Sequence, residues 1–154
     1  MTAFTPRQRL AGIDYGTVRI GIALGDEETR IAGPFETYHR RTLPLDAAYF
    51  QKLAKQEQIS RFIVGLPVHL DGNESQKSYE ARKFAAWLQE TTGITVELFD
   101  ERFTSAHAEQ ILMSAELTKK KRKARLDSLA AQIMLTAYLE STSRGQTPKG
   151  LDDR

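Results

Sequence analysis

The spacing of apolar residues near the start of the chain constrains the fold more than any other feature of the sequence. The segment Arg9–Asp14 is short and apolar, residues 15–17 read as a turn, and from 18 to 25 apolar residues alternate with small or polar ones. An apolar residue at every second position is typical of a β-strand, and the close spacing of the two strands favours a hairpin. A weaker third strand is predicted over Ile31–His39, where Pro34 indicates an edge or a bulge.

Downstream of these strands, predicted helices alternate with predicted strands. The expected elements are a helix over 45–56, a strand over 61–65, a helix over about 73–91, a strand over 95–99, a helix over about 104–113 and a last helix over about 124–140. Asn73 begins a pattern that resembles a capping box, and Gly93 is placed to end the same helix.

This order predicts an α/β fold built on a mixed sheet. Strands reached through helices join the sheet of the first strand by right-handed crossovers, which places the first strand at the centre and helices on both faces. A chain of 154 residues suits one domain. We expect that domain over residues 1–142, and we expect the polar segment 143–154 to be a disordered tail because it has too little apolar surface to pack.

The composition excludes several classes of chemistry because the chain contains no Cys. Disulfides, thiolate catalysis, iron–sulfur clusters and zinc sites that depend on Cys are all removed, and the absence fits a reducing cytosol. The longest nearly unbroken apolar stretch, Phe62–Val68, is far shorter than the ~18 residues of a membrane span. Met1–Leu10 has no basic-then-apolar export signal. We therefore expect a soluble cytoplasmic protein with no membrane partner.

Positive charge is concentrated in one segment, although the whole chain has a net charge of only +2. Six cations occupy the seven positions from 119 to 125: Lys119, Lys120, Lys121, Arg122, Lys123 and Arg125. Without these six, acidic residues outnumber basic ones by four. Such a run can contact the phosphates of a nucleic acid, or it can form a solvated loop. We predict a basic loop here and take its six cations as candidate nucleic-acid contacts.

Two acidic positions stand at predicted strand ends. Asp14 ends the first strand, and Glu101 follows Asp100 at the end of the strand over 95–99. The carboxyl ends of parallel strands are where open α/β sheets bind ligands. Asp100 and Glu101 should point to opposite sides of the sheet, so only one of them faces a site there. The alternatives are a turn Asp that accepts local amide hydrogen bonds and acids that favour the dipole of the next helix.

Asp127 stands out because of its place on the last predicted helix. At ~100° per residue it falls in the apolar sector of the helical wheel, beside Met134 and Tyr138. An unpaired carboxylate in that sector would cost several kcal/mol or be neutralised. It therefore needs a cation, a hydrogen-bond donor or a metal ion, and a pair with a nearby Arg is the alternative to a functional role.

Three carboxylates without Cys and without metal-ligand spacing of His suit a hard cation. Mg²⁺ takes oxygen ligands and keeps several waters. Two such ions about 4 Å apart can activate a water and stabilise the leaving oxygen of a phosphodiester. The arrangement leads to the hypothesis of magnesium-dependent phosphodiester hydrolysis, with the basic run holding phosphates.

Four segments carry a resemblance to a known family. They read GIDYGTVRIGIA over 12–23, VGLPVHLDG over 64–72, DERFTS over 100–105 and KKRKARLDSLAA over 120–131. In this order the chain resembles the YqgF/RuvX family of pre-16S rRNA nucleases, also described as Holliday junction resolvase-like. The resemblance implies a ribonuclease H-like fold, a five-stranded mixed sheet whose first three strands are antiparallel. It also implies a cytoplasmic bacterial protein that acts in maturation of the 5′ end of 16S ribosomal RNA.

The resemblance also implies a site. Asp14, Glu101 and Asp127 would be both the catalytic residues and the ligands of Mg²⁺ or Mn²⁺. Many ribonuclease H-like nucleases have an acid at the end of the fourth strand, where this chain has Val64-Gly-Leu-Pro67 and only later Asp71. Possible outer-shell or substrate contacts are Gly16, Thr17, Asp71, Asp100 and Arg102.

Other functions stay open at this stage. The substrate can be structured RNA, within a ribosomal particle or free, or branched DNA, and the protein a monomer or a homodimer. A catalytically weak RNA-binding assembly factor is the alternative that the missing fourth acid suggests. The segment from Asp14 to Gly21 also looks like a phosphate-binding motif of actin-like phosphotransferases, but those enzymes use two related domains and this chain has room for one.

Overall fold

The computed structural model describes residues 9–67, 75–101 and 119–143. Within these ranges the strands are β1 (Arg9–Asp14), β2 (Arg19–Asp26), β3 (Ile31–His39), β4 (Ile59–Leu66) and β5 (Thr95–Asp100). The helices are α1 (Leu43–Gln56), α2 (Gln76–Thr92) and α3 (Lys119–Ser143). None of these helices is long and apolar enough to cross a membrane.

The five strands form one mixed sheet in the order β3-β2-β1-β4-β5. β1 pairs antiparallel with β2 and parallel with β4, and β5 pairs parallel with β4. The expectation of a central first strand and an antiparallel start is therefore confirmed. β3 is one of the two edge strands, and its register shifts between the partners of Ile22 and Ala23, which are Glu36 and Pro34. Pro34 thus lies at both an edge and a bulge, where a missing amide donor is tolerated.

Helices cover both faces of the sheet, as predicted. The core on one face contains Ala11 and Ile13 of β1 together with residues of α1 and α2. The core on the other face contains Leu10 of β1 together with residues of α3. Alternate residues of β1 therefore serve opposite cores, which is the two-residue period of a buried strand.

The start of α2 differs from the predicted capping box. Ser75 is the N-cap, and its hydroxyl accepts a hydrogen bond from the amide of Ser78 at 3.2 Å. Asn73 lies outside the described residues. A Ser hydroxyl satisfies the first free amides of a helix as well as an Asn side chain does, so the pattern alone could not separate the two positions. The other end is as predicted, because Gly93 ends α2 in the left-handed conformation with φ 73°.

The prediction that the basic run 119–125 forms a loop is wrong. α3 begins at Lys119, so residues 119–125 form its first turns rather than a loop before Ala124. Lys and Arg are good helix formers because their long side chains lose little rotamer freedom in a helix, so a run of cations does not interrupt one. The predicted helix over 104–113 lies outside the described residues, as does the expected disordered tail apart from Ser143, the last residue of α3.

Close contact between α3 and the sheet depends on Gly21 of β2. A Cβ atom built at Gly21 would lie 2.0 Å from the carbonyl oxygen of Asp127. This is far inside van der Waals contact, and the two nearest atoms, the carbonyl oxygen and carbon of Asp127, belong to the backbone, so no flexible side chain can move aside. The absence of a side chain at Gly21 sets the distance between β2 and the part of α3 that carries Asp127.

We expect Gly21→Ala to lower the free energy of unfolding by about 2–3 kcal/mol, because the added methyl group forces α3 away from the sheet. Gly33→Ala is the matched control: it lies on the edge strand, and a Cβ there meets nothing within 4 Å. Urea unfolding followed by circular dichroism measures both. Equal stability of the two variants would contradict this account of the packing.

Candidate active site

The carboxyl ends of β1, β4 and β5 meet at one edge of the sheet, and α3 packs beside that edge. Asp14 is the last residue of β1, and Glu101 directly follows β5. Leu10 and Gly12 lie against α3, so Asp14, two residues further along β1, faces the same side. The charges of Glu101 and Asp127 both act on the Asp14 carboxyl. The structure thus brings together the three acids singled out in the sequence.

The Asp14 carboxyl has a strongly perturbed affinity for its proton. Burial raises the pKa of Asp14, the negative charges of Glu101 and Asp127 add to the rise, and the ammonium group of Lys77 opposes it. Together these effects bring the pKa from 3.8 to about 7. A carboxyl that is half protonated near neutral pH marks a place where negative charge is crowded and poorly solvated.

Glu101 reaches the site through space that Gly65 leaves open. A Cβ atom at Gly65, near the end of β4, would lie 2.8 Å from Oε1 of Glu101. β4 separates β1 from β5, and neighbouring strands are about 4.8 Å apart. The Glu101 side chain therefore lies over the end of β4. Burial raises the pKa of Glu101, Lys77 lowers it, and Asp100 raises it.

Asp127 has a cation as its partner. Nε of Arg19 donates a hydrogen bond to Oδ2 of Asp127 at 2.8 Å. The Asp127 side chain is 24% exposed and that of Arg19 is 51% exposed. In the described ranges no three Asp, Glu or His side chains are arranged so that they could hold a metal ion. The Arg pair expected as an alternative is thus what the structure contains, and metal ligation by Asp127 stays a prediction.

A cleft of about 430 Å³ opens at this edge of the sheet. It is lined by Asp14, Tyr15, Gly16, Thr17, Val18, Arg19, Lys77, Glu80 and Asp127. The turn between β1 and β2 forms one wall, the first turns of α2 form another, and Asp127 belongs to α3. Gly16 and Thr17, predicted as outer contacts, therefore lie in the wall of the cleft.

The other predicted residues fall into two groups. Asp100 is 3% exposed and, one residue before Glu101, points away from the cleft if the strand alternation continues. Asp71 and Arg102 lie outside the described residues. The six cations of the basic run lie on the helical backbone of α3 immediately before Asp127, and their side chains are outside the described part of the structure.

Lys77 lines the cleft but was not predicted as a site residue from the sequence, although its position on the helix could have indicated it. It is the second residue of α2, and no acid occupies the first turn of that helix. A cation at a helix N-terminus opposes the helix dipole, so its presence there calls for nearby negative charge. Asp14 and Glu101 supply that charge, since Lys77 acts on the pKa of both.

A buried hydrogen-bond network supports the wall of the cleft from behind. Asp46 is 1% exposed and accepts hydrogen bonds from the Tyr38 hydroxyl at 2.6 Å and from Nε of Arg40 at 3.3 Å. Arg40 in turn donates from Nη1 to the Tyr15 hydroxyl at 2.9 Å. Burial favours a raised pKa for Asp46, but these donors and the Arg41 amide outweigh it and lower the pKa. The network fixes Tyr15, which directly follows Asp14.

The two partly buried carboxylates fit a divalent cation. Asp14 and Glu101 present only oxygen donors, the ligand type that Mg²⁺ and Mn²⁺ take. Their mutual repulsion raises the energy of the doubly ionised form, and a cation between them would remove that repulsion. The donor set and its electrostatics therefore suit the ion that the family resemblance implies.

The raised pKa of Asp14 predicts an unusual pH dependence of stability. Its folded pKa, about 7, lies above the ordinary value of 3.8, so the folded state binds the proton more tightly and stability falls as pH rises from about 4 to 7. Asp14→Asn removes this penalty. In EDTA at pH 8 we expect the variant to be more stable than wild type by roughly 2 kcal/mol, with the difference shrinking towards pH 5. Urea unfolding at both pH values measures this.

Glu90→Gln is the control for that experiment, because Glu90 is an exposed acid of α2 outside the cleft. Its effect should be small at both pH values. A stability difference for Asp14→Asn that does not change between pH 5 and pH 8 would contradict the account.

Comparisons with known proteins identify the family. The family model described as RuvX, Holliday junction resolvase, matches residues 8–141. A relative from Rhodopirellula baltica is 51% identical over 138 residues, covering 90% of this chain and 80% of its own. A relative from Syntrophomonas wolfei is 38% identical over 138 residues, covering 90% of this chain and 98% of its own. Both relatives carry the words pre-16S rRNA nuclease in their names.

Solved structures agree on the fold. T. thermophilus RuvC in complex with a Holliday junction substrate matches with a TM-score of 0.57 at 12% identity, covering 90% of this chain and 96% of its own. The fowlpox virus resolvase bound to Holliday junction DNA matches with a TM-score of 0.55 at 12% identity, covering 87% and 98%. These likenesses confirm the ribonuclease H-like fold. Together with the family model and the close relatives, they establish that the chain belongs to the RuvX family.

Proposed function

We propose that this protein is a metal-dependent endonuclease that hydrolyses phosphodiester bonds of structured RNA, in processing of the 5′ end of pre-16S rRNA. The observation that carries the proposal is the pair of partly buried carboxylates, Asp14 and Glu101, at the ends of two strands of one sheet. Their repulsion and burial raise the pKa of Asp14 to about 7. Crowded, poorly solvated carboxylates of this kind are costly for folding and are typical of active sites.

Asp14 and Glu101 would hold Mg²⁺ or Mn²⁺, and Asp127 would complete the site or position water. A divalent ion held by the two acids would polarise the phosphate and favour ionisation of the attacking water. The cations of the cleft, Arg19 and Lys77, lie where they can attract the phosphate diester into it. Partial burial of the acids weakens the screening of these charges by bulk water.

Hydrolysis adds one water across one P–O ester bond. The water oxygen bonds to phosphorus, the ester oxygen leaves, and the proton lost by the water is balanced by a proton that the leaving oxygen takes. No oxidant or second substrate is required. The cleft, of about 430 Å³, has room for a phosphodiester and its neighbouring groups.

RNA is the proposed substrate because the close relatives are named for pre-16S rRNA, and the cytoplasm is the proposed location for the same reason. The run of cations over 119–125 precedes Asp127 on the same helix, so α3 would carry phosphate contacts towards the acids. Branched DNA is the second candidate substrate, because the matching family model is described as a Holliday junction resolvase.

We expect cleavage of labelled pre-16S RNA in Mg²⁺ or Mn²⁺ and none in EDTA. Asp14→Asn should lower the cleavage rate on the order of 10³-fold, because the site loses one of the two carboxylates that would hold the ion, while RNA binding is retained. Gel electrophoresis of the products and filter binding measure the two effects. A four-way DNA junction assayed in parallel decides between the two substrates.

Glu90→Gln should cleave at the wild-type rate. Because Glu90→Gln and Asp14→Asn are purified in the same way, a loss of cleavage in Asp14→Asn alone shows that the activity does not come from a contaminating nuclease. Undiminished cleavage by pure Asp14→Asn would overturn the proposal. Salt-sensitive RNA binding without cleavage of free RNA or DNA would favour an assembly factor, or an enzyme that needs the ribosomal particle.

The basic run generates a separate prediction about salt. Replacing Lys120 and Arg122 with Gln should reduce the slope of log K against log salt by roughly 0.7–0.9 for each lost phosphate contact. The control is the double replacement of Lys52 and Lys55 with Gln, which removes the same charge from exposed positions of α1 on the opposite face of the sheet. Equal slopes for the two double variants would place the phosphate contacts elsewhere.

A further inference from the structure

Arg19 lies inside the cleft rather than on an ordinary surface. It opens β2, lines the cleft with Asp14 and Lys77, and donates from Nε to Asp127. Within the described ranges, its terminal amino groups make no other hydrogen bond. The half-exposed side chain thus has one donor engaged by α3 and a planar fork of donors left for another acceptor in the cleft.

Backbone packing holds both partners of this ion pair in place. A Cβ atom at Gly16 would lie 2.2 Å from the carbonyl oxygen of Arg19, so the turn before β2 is pressed against the Arg19 backbone. A Cβ atom at Gly21 would lie 2.0 Å from the carbonyl oxygen of Asp127. Arg19 and Gly21 lie on the same face of β2, two residues apart. The relative position of Arg19 and Asp127 is therefore fixed by these two close backbone contacts as well as by their side chains.

Among the described residues, one cation of the cleft is already paired, because Nε of Arg19 donates to Asp127. The charge of Lys77, in the cleft wall, acts on both Asp14 and Glu101 but is one positive charge against two carboxylates. One divalent cation more than offsets the negative charge that remains on Asp14 and Glu101. A second would have to displace Arg19 from Asp127 or lie next to its guanidinium group, and either arrangement is electrostatically unfavourable.

We propose that Arg19, oriented by Asp127, supplies the positive charge that a second metal ion supplies in two-metal nucleases, so that this protein binds one divalent ion on Asp14 and Glu101. Arg19 contacts the phosphate through its terminal amino groups, a geometry for which guanidinium is well suited. Asp127 is then a positioning residue and not a metal ligand. This inference rests on the proposed nuclease function and makes its site more specific.

The direct test is calorimetric titration of the full chain with Mn²⁺. We expect one ion per wild-type chain, and binding lost in Asp14→Asn. Asp127→Asn should keep the single ion with a dissociation constant within about 3-fold of wild type, because Asp127 does not ligate it. Two ions on the wild-type chain, no measurable ion, or a loss of affinity above 10-fold in Asp127→Asn would each overturn the inference.

Arg19→Gln separates a functional from a structural role. We expect its cleavage rate at saturating RNA and Mn²⁺ to fall about 100-fold, while Mn²⁺ binds at least as tightly as in wild type because a cation has left the cleft. Unfolding curves verify that the variant is folded, and Arg19→Lys, which keeps the charge without the planar fork, should recover only part of the rate. Unchanged cleavage by Arg19→Gln, or weakened Mn²⁺ binding, would count against the inference.

Arg9→Gln is the matched control. It removes a similar ion pair, from Nη1 of Arg9 to Glu57 at 2.6 Å, at the opposite end of the sheet. Ion stoichiometry and cleavage should be unchanged. Failure of this inference is distinguishable from failure of the nuclease proposal: cleavage that survives Asp14→Asn rejects the latter, whereas two bound ions in an Asp14-dependent nuclease reject only the role of Arg19.

Discussion

Two partly buried carboxylates that repel each other are the constraint on which the rest of the site depends. Asp14 and Glu101 extend from strands that both pair with β4, so they cannot move apart without breaking the backbone ladder of the sheet. Their repulsion adds to the effect of burial, and the pKa of Asp14 rises to about 7. A sheet is stiff enough to impose such crowding, and either a proton or a cation relieves it. Lys77 relieves it in part, since its charge lowers the pKa of both carboxyls.

Missing side chains are as important to this geometry as the acids themselves. Gly65 gives the Glu101 carboxylate its space over β4, and Gly21 lets the backbone of α3 rest against β2 next to Asp127. Gly12 and Gly25 continue the same line, where added Cβ atoms would each lie 2.9 Å from Leu135. α3 and the sheet approach each other closely at these glycines. The distance of Asp127 from the sheet is therefore fixed by contact between α3 and the strand backbone. The site is therefore positioned by the core of the protein and not by flexible loops.

Sequence patterns predicted the framework well where one local cause dominated. Alternation of apolar residues located β2 to within a residue, and Gly93 ended α2 because only a left-handed residue fits that position. Prediction failed where the same short segment is compatible with two local conformations of similar energy. Ser75 and Asn73 are both good caps, and a cationic run is compatible with either a loop or a helix, so the start of α2 and the start of α3 could not be settled locally. The three acids of the candidate site were identified in the sequence because charge at strand ends and on an apolar helix face is locally anomalous.

The sequence by itself determined the order of the elements, the central place of β1 and the identity of the acids, because strand and helix periods and strand-end charges are local properties. Only the tertiary structure decided how those acids are partnered. Arg19 and Asp127 are 108 residues apart and meet because two glycines let backbones touch. Lys77 faces Asp14 and Glu101 because the crossover helix α2 lies over their end of the sheet. Such pairings depend on distances between helices and strands, which neither the spacing of apolar residues nor the composition encodes. They decide whether a carboxylate is free to bind a metal ion or is already paired with a basic side chain.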